Sequence, residues 1–193
     1  MNLDQIIFYL EIGFSHIMDI GAYDHLLFLV SISVVYSFKS WKKLFWIVTF
    51  FTIGHSMSLV ISSYNIYKPN SEIIEFLIPV TIIISALTNL FFLKSTQKIS
   101  YLTILIALFF GLIHGFGFAN FFNQITFNDG VDLVALIGFS FGVETSQILI
   151  ATSILILNSI LFLINPGFRK NYVRLISIIV CLLTILIFIQ KYD

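Results

Sequence analysis

The stretch Gly13-Phe14-Ser15-His16-Ile17-Met18-Asp19-Ile20-Gly21-Ala22-Tyr23-Asp24-His25 runs straight into Leu26-Leu27-Phe28-Leu29-Val30. Two histidines and two aspartates stand within ten residues of one another at the mouth of a hydrophobic helix. The two remaining histidines, His55 and His114, lie deep inside later hydrophobic segments. Ionisable side chains are expensive inside a bilayer and tend to mark function there. The common cause read from this pattern is a single metal-binding site.

Composition sets the class. The chain is 59% hydrophobic and only 10% charged, more apolar surface than a soluble domain can hide. The expected fold is therefore all-α, a polytopic membrane helix bundle forming one transmembrane domain over residues 1–193. A formal net charge of zero gives no basis for nucleic-acid binding. Cys181 is the sole cysteine, which excludes a disulfide framework and a thiolate metal site. The first residues lack a basic n-region and a small-residue cleavage site, so no cleaved signal peptide is expected.

Residues 3–18 read as an amphipathic helix with Ile6, Ile7, Leu10, Phe14 and Ile17 on one face. It is short for a span and is expected to lie in the interface or to re-enter it. Six candidate spans follow, at about 23–38, 43–63, 72–93, 100–122, 133–160 and 173–190. Pro79 falls inside the third, where a kink is tolerable.

Charge supplies the orientation. Lys39, Lys42, Lys43, Lys94, Lys98, Arg169, Lys170 and Arg174 all fall in the loops after spans one, three and five, eight of the ten basic residues. The positive-inside rule assigns those loops to the cytoplasm and both termini to the outside of an inner or plasma membrane. Depth then follows at about 1.5 Å per residue, which puts His55 roughly 18 Å above the inner start of its span. His16, Asp19, Asp24, His25 and Glu75 fall near the outer surface, and Glu144 falls near the midplane. Every ionisable group in the membrane belongs to its outer half or its centre, like a polar funnel open to the outside. Gly111 and Gly115 beside His114, and Gly138 and Gly142 ahead of Glu144, form small-residue faces that let backbones approach. They are expected to bring His114 and Glu144 within reach of a common ion.

Imidazole and carboxylate together suit Ni, Co, Zn or Fe(II). The expected ligands are His25, His55 and His114 with Asp24 or Glu144. His16 and Asp19 take an outer capture position, Glu75 stands at the outer surface, and Gln147, near Glu144, orients it. One buried histidine alone is as readily explained by a hydrogen bond to a neighbouring helix. Four of four at matching depth, joined by Asp24, Glu75 and Glu144, are not.

Several runs resemble the HupE/UreJ family of hydrogenase and urease accessory proteins. They are Asp24-His25-Leu26-Leu27-Phe28-Leu29, Thr52-Ile53-Gly54-His55-Ser56, and Phe110-Gly111-Leu112-Ile113-His114-Gly115-Phe116-Gly117-Phe118-Ala119, with Glu75 and Gly142-Val143-Glu144. The resemblance spans nearly the whole chain, and it implies six to seven membrane helices and nickel or cobalt permeation.

Two functions remain open at this stage. One is a divalent-metal permease whose metal affinity falls as pH drops, because protons compete for the imidazoles. The other is an intramembrane Zn-dependent hydrolase with Asp24 or Glu144 as general base. The expected partners are a metal ion and the lipid bilayer, with homo-oligomerisation left open.

Overall fold

In a computed structural model, which describes residues 3–19, 21–91, 101–126 and 132–192, the protein is an all-helical bundle. Its helices are α1 (Leu3–Met18), α2 (Tyr23–Ser33), α3 (Trp41–Ser63), α4 (Ser71–Phe91), α5 (Tyr101–Thr126), α6 (Leu133–Ile164) and α7 (Arg169–Tyr192). Short 3-10 turns at Phe38–Ser40 and Pro166–Phe168 lead into α3 and α7. Among the described residues, five helices, α3 to α7, are long and apolar enough to cross a membrane, and the protein is a multi-pass membrane protein. Lys94 and Lys98, which entered the orientation argument, lie outside the described residues.

The expected first span is the point of departure. It ends at Ser33 rather than near residue 38, and its 11 residues rise only about 16 Å, too little to cross alone. The helix before it does not stand apart. Gln5 Nε2 donates to Asp132 Oδ2 at 3.1 Å, and the backbones at Ile6 and Leu10 lie against Gly138 and Gly142. Farther along α6, Asn158 Nδ2 donates to the carbonyl oxygens of Ser33 at 3.1 Å and Tyr36 at 2.9 Å. So α1 and α2 lie one after the other along α6, running in its direction, with α1 ending at Met18 and α2 starting at Tyr23.

That break explains amides that the sequence left without a task. A helix that stops inside a membrane protein leaves its last carbonyls without intrahelical donors. Asn158 reaches those at the end of α2, and Asn89 Nδ2 donates to Ser31 O at 2.8 Å. Asn158 is fully buried. Asn158→Leu is expected to lower stability by about 1–3 kcal/mol. The check is the melting temperature of the detergent-solubilised protein; an unchanged value would show that those carbonyls need no donor.

The inward face of α1 also differs from the expected stripe. Tyr9, Gly13 and Ile17 are buried, whereas Ile7 and Phe8 are exposed. Lipid is as apolar as a core, so hydrophobic periodicity does not say which side of a membrane helix packs. Glycine decides it instead. A Cβ on Gly13 would run into the Phe139 carbonyl, and one on Gly142 into that of Leu10. The same device joins α3 to α5, where Gly54 faces Leu108 and Gly111 faces Phe51 and His55. The small-residue faces therefore pair α5 with α3 and α6 with α1, instead of closing His114 onto Glu144.

Candidate metal centre

The break between α1 and α2 delivers two imidazoles to one place. His16 sits in the last turn of α1 and His25 in the first turn of α2. Asp19 shapes the intervening turn, its Oδ1 accepting from Gly21 N at 2.9 Å, while its carbonyl accepts from Ala22 N. The two rings meet edge to face with centroids 4.7 Å apart. His55 comes in on α3, its ring 6.0 Å from His16 and 6.3 Å from His25. His114 comes in on α5, with its ring 5.6 Å from His25.

One ring nitrogen from each of His16, His25 and His55 lies within 4.8 Å of the other two. A point equidistant from three nitrogens 4.8 Å apart is about 2.8 Å from each, against the roughly 2.0–2.1 Å of a metal–imidazole bond. Drawing the rings in by less than about 1 Å closes the site. His114 stands beside this trio as a fourth imidazole.

Orphaned nitrogens mark the chemistry. Nε2 of His16, His25, His55 and His114 are all buried and, among the described residues, without a hydrogen-bond partner. A buried polar atom left unmatched costs about 1–3 kcal/mol, and four in one place rival the net stability of a typical domain. Two of the rings have a fixed tautomer. His114 Nδ1 donates to Phe110 O at 2.8 Å, and His25 Nδ1 donates to Asp24 Oδ1 at 3.0 Å. Each donation leaves Nε2 with a bare lone pair facing inward, as a metal ligand requires. Bare nitrogens gathered in a dry pocket fit a borderline-soft divalent cation.

Asp24 therefore orients a ligand. Its Oδ1 also accepts from His25 N at 2.9 Å. Asp24→Asn removes the charge that holds the imidazole and is expected to weaken metal binding about 10–100-fold. Equilibrium Co(II) titration of the purified protein checks this, and an unchanged affinity would show that Asp24 plays no part.

The other expected site residues lie elsewhere. Glu75 is half-buried and lines, with Asp24, Tyr23 and Pro79, a cavity of about 170 Å³ between α2, α4 and α7. Asp19 is exposed and serves its own turn. Glu144 Oε1 accepts from Thr49 Oγ1 at 2.6 Å and Glu144 Oε2 lies within hydrogen-bond reach of Thr52 Oγ1, in a polar cluster of its own with Gln147. The expected outer position of His16 differs from its place among the gathered nitrogens. It reaches them because the last turn of α1, which carries it, lies beside the first turn of α2, which carries His25.

Four phenylalanines also belong to the centre. The Phe118 ring lies 3.9 Å from that of His16, and Phe139 stacks at 6.0 Å on His55. Phe28 and Phe51 lie 5.4 and 5.1 Å from His114. They exclude water and fix the imidazole rotamers. Their signal in the sequence is helical spacing: Phe51 precedes His55 by four, Phe118 follows His114 by four, and Phe28 follows His25 by three.

No characterised protein and no solved structure matches the chain significantly. The sequence profile described as HupE / UreJ protein matches residues 1–192. With a gathered histidine cluster inside an all-helical membrane bundle, and a match along essentially its full length, this chain belongs to the HupE/UreJ family.

Proposed function

We propose that the protein is a permease for a divalent transition metal of the nickel and cobalt type, with the metal as cargo held by His16, His25 and His55 and with His114 beside them. The observation that carries this reading is the set of four buried imidazoles whose Nε2 atoms lack any partner. Membership of a family associated with nickel and cobalt handling supports it.

Two features of the fold favour movement over static binding. The ligands His16 and His25 sit on either side of a break between consecutive helices, and discontinuous helices recur at the ion sites of transporters. Polar groups also continue past the histidines along α3, at Thr52 and Thr49, one and two turns from His55. In this reading α1 and α2 together form the sixth crossing. Both termini lie outside, the Lys/Arg loops lie in the cytoplasm, and the ion enters past Asp24 and Glu75.

A hydrolase would need a carboxylate available to take a proton from metal-bound water. Asp24 Oδ1 is engaged by His25, and Glu144 belongs to the cluster with Thr49, Thr52 and Gln147 instead of the gathered imidazoles.

Flux decides the matter. Purified protein in liposomes is expected to take up radiolabelled nickel or cobalt saturably, with uptake reduced at least tenfold in a His25→Ala variant. Tight stoichiometric metal with no flux, together with hydrolysis of an ester or amide, would replace the permease with the enzyme.

A further inference from the structure

The cluster around Glu144 has its own logic, separate from the imidazoles. Thr49 Oγ1 donates to Glu144 Oε1 at 2.6 Å. Thr52 Oγ1 is within reach of three acceptors: Glu144 Oε2, Gln147 Oε1 at 3.1 Å and Val48 O at 3.2 Å. A threonine has one hydroxyl hydrogen. With Glu144 ionised, that hydrogen goes to one oxygen and the others face Thr52 Oγ1 as acceptor against acceptor.

A proton on Glu144 Oε2 settles the two side-chain acceptors, while Val48 O keeps the backbone N–H of Thr52 as its partner within α3. Thr49 then donates to Oε1, Oε2–H donates to Thr52 Oγ1, and Thr52 donates to Gln147 Oε1. Turning the Gln147 amide over would supply a donor too, but it would leave a carboxylate charge in the middle of an apolar helix. Among the described residues Glu144 has hydroxyl partners and no cationic one. An uncompensated charge at that depth is costly. A divalent metal would overcompensate the single charge, and it prefers nitrogen ligands when it is nickel-like. Separations of 2.6 and 3.1 Å are hydrogen-bond spacings, which a proton fits and a sodium ion would have to spread.

The helices packed on α6 carry other titratable groups: Asp4, Glu11 and His16 on α1, Asp24 and His25 on α2, and Lys42, Lys43 and His55 on α3. The hydrogen bonds of Glu144 run instead to the hydroxyls of Thr49 and Thr52. Thr52 lies one turn along α3 from His55, so the cluster adjoins the metal centre without sharing ligands.

We propose that Glu144, held by Thr49, Thr52 and Gln147, is a proton-carrying site adjoining the metal centre, and that its proton is the coupling ion of metal movement. The coupling role rests on the permease reading above; the proton-carrying site does not.

The test uses full-length protein with cobalt as the probe metal. Infrared spectra at neutral pH should contain the C=O band of a neutral carboxylic acid, shifted in D₂O, unaffected by sodium and absent from Glu144→Gln. The amide of that variant reproduces the neutral acid's shape and can donate to Thr52, so Co(II) binding and melting temperature should match wild type. In liposomes, acceleration of cobalt flux by an imposed pH gradient should fall at least tenfold in Glu144→Gln. An ionised carboxylate in the wild type, or an acid band abolished by sodium, would overturn the proton assignment. Loss of Co(II) binding in Glu144→Gln would make Glu144 a metal ligand and overturn the separate site. An intact acid band with no metal flux in wild type would reject the permease and the coupling role together, leaving the proton-carrying site standing.

Discussion

His55→Leu is expected to lower Co(II) affinity by about two to three orders of magnitude while leaving the metal-free protein as stable as wild type or more so. Structural zinc sites with four ligands bind with roughly 10–16 kcal/mol, so one ligand is worth about 3–4 kcal/mol. Stability moves the other way because His55 Nε2 is an unmatched polar atom buried among phenylalanines. A leucine of similar bulk removes that penalty, worth about 1–3 kcal/mol. The two effects separate in one experiment. Metal at about 100 times its dissociation constant should stabilise wild type by about 2.7 kcal/mol and the variant hardly at all. If instead His55→Leu destabilised the metal-free protein severely and kept its metal affinity, the imidazole would be a packing residue and the proposed centre would fail.

Gly111→Ala carries the second large effect, through backbone packing. A Cβ at Gly111 would occupy the space of the Phe51 carbonyl and come within 3.0 Å of His55 N. No rotamer change relieves a clash with backbone, so α3 and α5 must part and His55 moves with α3. Overpacking a core costs about 1–3 kcal/mol, and the upper end is expected here. Co(II) affinity should fall at least tenfold, because a displacement of about 1 Å matches the closure that the ligands need. Gly117→Ala is the control on the same helix. Its Cβ would meet only Ile78 Cδ1 at 3.0 Å and Ile74 Cγ2 at 3.6 Å, the tips of flexible side chains. Its melting temperature and metal affinity should stay close to wild type. Equal behaviour of the two variants would refute the close α3–α5 contact.

Much of this protein was legible before any coordinates. Apolar runs near 20 residues long gave α3 to α7 to within a few residues at most ends, because a bilayer leaves the helix as the main way to satisfy a spanning backbone. The rarity of charge inside those runs singled out His55, His114 and Glu144, and the clustering of His16 and His25 with two aspartates ahead of them marked the other two histidines. Partnership was not legible. Glycines at Gly111 and Gly115 announced a close neighbour without saying which, and α3 rather than α6 fills that place.

By itself, then, the sequence determined the membrane class, the helices and the short roster of residues that carry chemistry. Those follow from solvation, a property of each residue and its near neighbours along the chain. The tertiary structure alone decided that α1 and α2 lie in series along α6, that His16 joins His25 and His55, and that Glu144 stands apart with two threonines and a glutamine. Between helices whose outer and inner faces are equally apolar, hydropathy carries no preference for a partner. Close backbone contact at glycine and the need of every buried carbonyl for a donor make that choice, and both act between residues far apart in the chain.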